Sequence, residues 1–586
     1  MELKDIKSPL DIKGLSVDEL EKIAAQMRAA VLFRCSQIGG HVSPNLGSVE
    51  SIIALHYVFN APVDKLIFDV SHQAFPHKML TGRVYGYINP EDFDKVGEYT
   101  DPNESPEYDL FYAGHTSPAI TLSVGMAKAR DLKQDNYNVV SYIGDGALSG
   151  GVAFEGLDAG GAMNSNLICI VNDNQMAIAE NHGGIYSHLA DLRETNGTAD
   201  TNLFKAFGWD YVYVGEGNDI AKLIETFKSV KDYPRPVVVH INTQKGEGYV
   251  PAEKDRESWH FRNPFDISSG QLLKAPHGES YEKVFKQFVN RNAEKYPEFL
   301  VITSATPADL GLNAAERAKL GHHYLDVAIA EQTGVSVMAG AARGGAKVVY
   351  GVVGTFLQRA YDQLVEDWAM DGSPSLMVVM MTGIRAINDK THLGFWDIPM
   401  ITSIPDIVYL APTTVEEFDA MMQWALDQTQ YKVAVRQPVY SLQHSSEPVD
   451  TDFSDINKFK VVKKGAGVAV IAAGDFFVKG TEVVDLLKAE GIDATLINPR
   501  FISGVDRELI ENLKSDHRLI VTLEDGSVEG GFGQRVASVA GPTGMKVLNY
   551  GLEKRFEDHY KWEELEESNR LTPAQIVDDI STLMKA

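Results

Sequence analysis

The chain has 586 residues, of which 44% are hydrophobic and 23% are charged. A chain of this length and composition can bury several cores, which excludes a small binding module and a largely disordered protein. Lys and Arg number 54 against 81 Asp and Glu, a formal net charge of −27. This charge opposes non-specific binding to nucleic acid or to anionic membranes, so local features would have to hold an anionic ligand. We expect an enzyme without a nucleic acid or membrane partner.

The two cysteines and the N-terminus bear on the compartment. Cys35 and Cys169 both stand in apolar surroundings, which indicates reduced core thiols and not a disulfide or a thiolate metal site. The first residues lack the apolar stretch of a signal peptide, and we find no apolar run of about 18 residues that could span a membrane. We therefore expect a cytoplasmic protein.

In chain order, the first predicted elements are two helices. Ser16 and Glu19 form a capping-box pattern at the start of the first, and the second is predicted from about Gly47. Short apolar runs then alternate with helical segments up to about residue 250, and each run ends in a polar or glycine-rich turn. This pattern is typical of buried parallel strands, and it predicts a doubly wound α/β domain over residues 1–265.

Two segments rich in turn residues divide the rest of the chain. The first lies around residues 263–280 and the second around residues 443–457. Between and after them the alternation of apolar runs and helical segments resumes. The sequence therefore predicts two further α/β domains, over residues 280–445 and 457–586.

Two polar turns stand out in the first domain, each at the end of an apolar strand. Asp145 lies between two glycines, and Asn174 follows the next strand after one helical crossover. Each turn alone is an ordinary loop sequence. Together they would meet at the carboxyl edge of a parallel sheet, where a carboxylate and an amide oxygen suit Mg²⁺ and the glycines let backbone amides approach a diphosphate.

This spacing, with Asn174 29 positions after Asp145, resembles the thiamine diphosphate motif of transketolase-like enzymes. Other stretches from about residue 15 to about residue 555 extend the likeness; they include residues 39–60, 69–83, 114–117, 244–255, 326–332, 354–363, 391–397 and 529–533. Together they resemble the 1-deoxy-D-xylulose-5-phosphate synthase family. The resemblance implies three doubly wound α/β domains of the transketolase-like thiamine diphosphate-binding fold, with a diphosphate-binding domain first, a pyrimidine-binding domain second and a transketolase-like C-terminal domain third.

The resemblance also implies an activity. It is the thiamine diphosphate-dependent decarboxylative ligation of pyruvate to D-glyceraldehyde 3-phosphate, which gives 1-deoxy-D-xylulose 5-phosphate and CO₂ on the way to isoprenoid precursors, thiamine and pyridoxal. The implied cofactors are thiamine diphosphate and Mg²⁺, and the implied assembly is a homodimer with each cofactor site inside one chain. We keep as an alternative a related thiamine-dependent transketolase with a different sugar or sugar phosphate acceptor.

Glu331 is the first candidate catalytic residue. It follows an apolar run, where an unpaired carboxylate is costly to bury and its pKa tends to rise, although a helix-start carboxylate stabilised by the dipole is the alternative. In the family the matching glutamate bonds the pyrimidine ring of the cofactor. Phe356 would stack on that ring by resemblance, whereas alone it is typical of core packing.

Histidines in turn-like contexts supply the other catalytic candidates. Any one of them alone is typical of a surface or core histidine. By resemblance, His41, His260 and His392 join Glu331 as catalytic groups. The implied cofactor contacts are His72, Gly114, His115, Thr116, Gly146, Ala147, Asn174 and Tyr249. The implied metal ligands are Asp145, Asn174 and the backbone carbonyl of Met176. The implied substrate contacts are Arg359, Asp389, His392 and Arg436.

Residues expected to bind the aldehyde acceptor depart from the family pattern. Val353 stands where a tyrosine is usual, and Thr382 and Val439 stand where arginines are usual; Arg385 is the candidate to replace the missing charge. The chain also lacks roughly forty residues of a long loop that typical members carry after Leu192. A cofactor-binding paralogue without turnover is disfavoured by Glu331, and a nucleotide-binding dehydrogenase by the missing glycine-rich fingerprint.

Overall fold

The computed structural model describes residues 1–274, 278–440 and 442–585. It forms two compact units, one built mainly from residues before 278 and the other mainly from residues after it, with Ala328–Ala330 belonging to the first. The predicted α/β class is confirmed, because three mainly parallel sheets alternate with helices along the chain. Within the described residues, no helix is long and apolar enough to cross a membrane.

The first unit contains one parallel sheet with the strand order β1-β2-β3-β5-β4. Its strands are β1 (Lys65–Phe68), β2 (Val139–Gly144), β3 (Leu167–Asp173), β4 (Asp210–Val214) and β5 (Pro236–Asn242). Its helices are α1 (Val17–Ile38), α2 (Ser43–Gly47), α3 (Val49–Val58), α4 (Phe75–Lys78), α5 (Tyr85–Ile88), α6 (Ala119–Lys133), α7 (Gly151–Gly161), α8 (Gly184–Glu194), α9 (Leu203–Ala206), α10 (Ile220–Val230) and α11 (Val250–Lys254). Strands β2 and β3 are almost wholly buried, as their continuous apolar runs predict.

The second unit contains two sheets. The first of them is parallel, with the order β10-β11-β9-β8-β6-β7. Its strands are β6 (Phe299–Thr303), β7 (Tyr324–Asp326), β8 (Lys347–Val353), β9 (Ser375–Met380), β10 (Ile407–Leu410) and β11 (Lys432–Arg436). The helices along this part of the chain are α12 (Tyr281–Lys295), α13 (Ala314–Leu320), α14 (Glu331–Arg343), α15 (Gly354–Leu357), α16 (Tyr361–Gln363), α17 (Asp397–Thr402) and α18 (Val415–Asp427).

The last sheet has the order β12-β14-β13-β15-β16, in which only β12 runs antiparallel. Its strands are β12 (Lys460–Lys463), β13 (Gly467–Ala472), β14 (Thr495–Asn498), β15 (His517–Ser527) and β16 (Lys546–Leu552). Its helices are α19 (Phe477–Ala489), α20 (Arg507–Leu513), α21 (Phe532–Ala540), α22 (Trp562–Ser568) and α23 (Pro573–Lys585). One apolar core joins the two sheets of this unit, with Ile398, Ile471 and Phe532 among its members.

Two local predictions are confirmed. The Ser16 side chain accepts a hydrogen bond from the Glu19 amide, and the Glu19 carboxylate accepts one from the Ser16 amide, so the capping box starts α1. Cys35 and Cys169 are free and buried, and burial raises the pKa of both thiols to about 12. Both cysteines are therefore inert core residues, as predicted.

Candidate active site

The polar turns after β2 and β3 meet at one edge of the first sheet. Gly144 and Asn172 are register partners in this parallel pair, so Asp145 and Asn174 emerge side by side. Asp145 is only 1% exposed, and its Oδ2 accepts a hydrogen bond of 2.6 Å from Asn181 Nδ2. Burial and the neighbouring Asp173 raise the pKa of Asp145 to about 7. A buried carboxylate beside a second acid favours a bound cation, so the donors fit the predicted Mg²⁺.

The turn after Asp145 packs closely against a neighbouring segment because it is built from small residues. A Cβ on Gly146 would lie 3.0 Å from both Cα and Cβ of Ala177. The loop of residues 114–117 is fixed against this turn, since Ser117 Oγ donates to the Ala147 carbonyl over 2.9 Å and Asp69 accepts from the amides of Ser117 and Ala119. Ser117, which follows the Gly114–Thr116 turn, therefore lies next to Ala147, and the diphosphate role of these residues stays a prediction.

Lys245 is a candidate residue that the sequence interpretation missed. It follows β5, is fully buried and donates from Nζ to the Ala177 carbonyl over 2.5 Å. Burial lowers the pKa of Lys245 to about 7, and the charge of Asp145 partly offsets this effect. A lysine between an apolar strand and a glycine turn was the available signal. Its ammonium group would add positive charge beside the predicted diphosphate site.

Three of the predicted histidines form a cluster in the first unit. The ring centroid of His41 lies 5.3 Å from that of His72 and 5.4 Å from that of His260, and the last two are 5.1 Å apart. His41 Nδ1 also pairs with Glu98 Oε2 at 2.5 Å, a partner that the sequence did not suggest. Burial, with the charges of Lys245 and the other two histidines, lowers the pKa of His260 well below its usual range. His260 is therefore neutral near pH 7.

Glu331 is the central candidate residue of the second unit. It is the first residue of α14, is 2% exposed, and accepts no hydrogen bond at Oε2 from the described residues. Burial raises its pKa, as predicted, and Arg359, with Nη1 3.5 Å from Oε2, opposes the rise. Gly334 on the same helix lets Tyr350 pack closely, since a Cβ there would lie 2.6 Å from the Tyr350 hydroxyl oxygen. A buried carboxylate oxygen without a partner among the described residues is the feature expected where a nitrogen of the cofactor's pyrimidine ring would bind.

Phe356 and His392 also come together in this unit. Their ring centroids are 5.5 Å apart at an interplanar angle of 77°. His392 Nδ1 lies 2.8 Å from Thr391 Oγ1 and 3.5 Å from Asp389 Oδ1. Hydrogen bonds from His392 and Thr391 lower the pKa of Asp389 although burial opposes them. This geometry places Asp389 where it can orient His392, and its predicted contact with substrate stays a prediction.

Arg436, a predicted substrate contact, is paired with two buried carboxylates. Its guanidinium is 4% exposed, donates to Asp397 at 2.7 and 3.2 Å, and donates to Asp525 at 2.5 Å. A bidentate pair plus a second carboxylate favours a structural role for this cation at the junction of the two sheets, and its substrate contact stays a prediction. Arg385 is also engaged, because its Cζ lies 3.2 Å from the ring centroid of Tyr440 and 3.3 Å from that of Trp562.

Tyr249 packs in the core of the first unit instead of facing a ligand. Its hydroxyl donates to the Ile267 carbonyl at 2.7 Å, and its ring lies 5.1 Å from that of Trp259. This geometry favours a packing role over the predicted cofactor contact.

Met176 lies two residues after Asn174, and its amide donates to Asn174 Oδ1 at 3.2 Å, so the turn that would present its carbonyl is formed.

Comparisons with known proteins agree with these features. A family model described as 1-deoxy-D-xylulose-5-phosphate synthase matches residues 3–202 and 193–243, and models of the transketolase pyrimidine binding and C-terminal domains match residues 278–443 and 457–576. The 1-deoxy-D-xylulose-5-phosphate synthase 2 of Geobacter sulfurreducens is 34% identical over 627 residues, 99% of each chain. The chain belongs to the 1-deoxy-D-xylulose-5-phosphate synthase family. Members of this family are transferases that use thiamine diphosphate and a divalent metal ion.

Further relatives extend the comparison. The 1-deoxy-D-xylulose-5-phosphate synthase of Symbiobacterium thermophilum is 35% identical over 624 residues, which cover 100% of this chain and 95% of the relative. A solved transketolase from Pichia stipitis is 16% identical over 97% of this chain and 98% of its own, with a TM-score of 0.45.

Proposed function

We propose that this synthase-family chain joins pyruvate to D-glyceraldehyde 3-phosphate, with loss of CO₂, to form 1-deoxy-D-xylulose 5-phosphate. The observation that carries the proposal is the buried Glu331 carboxylate, which has an orphaned oxygen and a raised pKa at the start of α14. A fold that only bound a cofactor would gain nothing from burying this acid. Family membership over the whole length of the chain supports the same reaction.

Cofactor binding is divided between named residues. Asp145, Asn174 and the Met176 carbonyl would hold Mg²⁺. The backbone of Gly146 and Ala147 and the turn of Gly114, His115 and Thr116 would receive the diphosphate, with Lys245 as an added cation. Phe356 and Glu331 would receive the pyrimidine ring. Thiamine diphosphate, when bound, supplies the electron sink that decarboxylation of a 2-oxo acid needs.

The residues of the chain contribute proton transfer and orientation. Glu331 holds or accepts a proton at a carboxylate oxygen that no other described residue bonds. His41 is oriented by Glu98, and neutral His260 beside it can accept or donate one proton without carrying a resident charge. His392, which Asp389 and Thr391 orient, is the corresponding group in the second unit. Arg359 is the cation that we propose for a substrate carboxylate or phosphate, and its charge also lowers the pKa of Glu331 against the effect of burial.

The acceptor end favours a second candidate, a related thiamine-dependent transketolase with a different acceptor. Val353 and Thr382 are buried side chains without charge. Arg385 and Arg436, which could have replaced the missing arginines, are held by other side chains. An acceptor without a phosphate group would need fewer cations than glyceraldehyde 3-phosphate.

A comparison of acceptors separates the two candidates. Purified protein with thiamine diphosphate, Mg²⁺ and pyruvate is supplied with glyceraldehyde 3-phosphate or with D-glyceraldehyde, and kcat/KM is measured for each. The proposed synthase prefers the phosphorylated aldehyde by about 100-fold or more, the value of two or more charge-assisted hydrogen bonds. Equal use of both aldehydes would support the second candidate.

We also propose a homodimer in the cytoplasm. The support is the family resemblance together with the two reduced, buried cysteines. Analytical ultracentrifugation measures the assembly, and a single species of one-chain mass at micromolar concentration would contradict the dimer.

A further inference from the structure

The loop that carries Asp389 and His392 has no helix or strand of its own. It spans residues 383–394 and is closed at its base by an antiparallel bridge, in which the Gly383 amide donates to the Gly394 carbonyl over 2.8 Å. We name it the His392 loop. Ordering a loop of this length costs conformational entropy at every residue, so contacts from elsewhere must hold it.

Backbone contacts to this loop come from the segment between β16 and α22. The His559 amide donates to the Asn388 carbonyl over 2.7 Å, and Asn388 Nδ2 donates to the Tyr560 carbonyl over 3.0 Å. The Lys390 amide donates to Asp558 Oδ1 at 3.2 Å, and its Nζ lies 3.2 Å from Oδ2 of the same carboxylate. These contacts bracket Asp389 on both sides.

Side chains of the same segment hold the first part of the loop. The Tyr560 hydroxyl donates to the Ile384 carbonyl over 2.8 Å. The Trp562 ring stacks on the Arg385 guanidinium, and Phe556 packs edge-on against Trp396 just beyond the loop, with ring centroids 5.4 Å apart. We name residues 556–562 the strap.

Backbone geometry indicates that the strap is itself fixed in place. His559 has φ of 45°, in the left-handed region that a residue other than glycine adopts at some cost. Such a conformation persists where the surroundings over-determine it, and here the amide of the same residue makes the bond to Asn388. The segment therefore has one defined arrangement on the loop.

We propose that the strap is a positioning segment that fixes Asp389 and His392 for the reaction. The inference rests on the proposed function, since it gives His392 a part in proton transfer. A misplacement of about 1 Å can cost about 100-fold in rate, so contacts on both sides of Asp389 are where such control would act. Tyr560, Trp562 and Asp558 are positioning residues because they act through the loop.

Hydrogen exchange measured by mass spectrometry on the full chain without ligands tests this inference. Tyr560→Phe removes only the hydroxyl bonded to Ile384, and Trp562→Leu removes the ring on Arg385, which Trp562→Phe partly restores. We expect amides of residues 383–394 to exchange about tenfold faster in the first two variants and closer to the wild-type rate in Trp562→Phe. Peptides from β13 should not change.

Tyr550→Phe is the matched control. The Tyr550 hydroxyl makes a similar bond, 3.0 Å to Asp579 Oδ2 in the same unit, and neither residue of that bond belongs to the His392 loop. Exchange of the His392 loop should stay at the wild-type rate in this variant. Unchanged exchange of the loop in both Tyr560→Phe and Trp562→Leu would overturn the inference.

Kinetics of the same variants complete the test. We expect kcat to fall about tenfold in Tyr560→Phe with KM for pyruvate within about twofold, because a displaced proton-transfer group slows the chemistry and not the binding. A wild-type protein without synthase activity, but with a loop that loosens in the variants, would sink the proposed function and leave the strap as a structural clamp. Loosening in the variants with an unchanged kcat would overturn the positioning role.

Discussion

Glu331 Oε2 and Arg359 Nη1 lie 3.5 Å apart in the second unit, and only 2% of Glu331 is exposed. The distance is too long for a hydrogen bond, so the carboxylate is attracted by a cation but is not satisfied by it. Burial then sets the direction of the pKa, which rises. Glu331 is therefore a buried acid with one carboxylate oxygen available to accept a hydrogen bond from a ligand.

We expect Glu331→Gln to lower kcat by roughly 100-fold or more, because an amide cannot exchange the proton that a carboxyl group does. Binding of thiamine diphosphate in the presence of Mg²⁺, followed by calorimetry, should survive in part. Glu417→Gln is the control, since Glu417 is also buried but is bonded by Thr413 and Asn498. Turnover of Glu331→Gln at the wild-type rate would remove this residue from the mechanism.

The pH dependence of stability gives a second test of Glu331. Its pKa in the folded chain lies above the ordinary value of 4.5, so between the two values the folded chain keeps a proton that the unfolded chain has lost. Its contribution to stability is complete below the unfolded pKa and is lost as pH rises through the folded pKa. We expect Glu331→Gln without cofactor to melt above the wild type at pH 8, with the gap closing toward pH 4. A difference in melting temperature that is equal at both pH values would contradict the cost of burying the Glu331 carboxylate.

Asp145→Asn tests the proposed Mg²⁺ site. We expect affinity for thiamine diphosphate in the presence of Mg²⁺ to fall by about 100-fold or more, since the one carboxylate among the proposed ligands is lost. Without Mg²⁺ the variant and the wild type should bind the cofactor equally weakly. Asp158→Asn on α7 is an exposed control that should bind normally. Normal Mg²⁺-dependent binding by Asp145→Asn would place the metal elsewhere.

Variants of Arg436 separate a structural role of this residue from its predicted contact with substrate. Removal of the guanidinium leaves Asp397 and Asp525 buried without their cation, so we expect a loss of about 3–5 kcal/mol in the free energy of unfolding by urea. Arg436→Lys should keep KM for the aldehyde within about threefold of the wild type, because no substrate contact is lost. A large rise of that KM without loss of stability would restore the substrate role.

Local patterns were enough to predict part of this molecule. Continuous apolar runs predicted β2 and β3, and the polar turns after them placed Asp145 and Asn174 at one edge. A carboxylate after an apolar run, Glu331, predicted a buried acid with a raised pKa. These predictions succeed because the strands and the burial follow from local apolar runs, and because β2 and β3 are consecutive strands that pair with each other.

Pairing between distant side chains could not be predicted in this way. His41 and Glu98 are 57 positions apart, and Arg436 and Asp525 are 89 apart. The sequence showed Arg436 as an available cation because nothing near it carries the opposing charges. The contact between Tyr560 and Ile384 spans 176 positions and is likewise set by the packing of the two sheets.

The most direct test of the central claim uses carboxyl-labelled pyruvate with the purified protein, thiamine diphosphate and Mg²⁺. We predict that release of labelled CO₂ depends on glyceraldehyde 3-phosphate and is matched by an equal amount of a five-carbon ketose phosphate. Release without ligation, or no reaction until a ketose phosphate replaces pyruvate, would contradict the account.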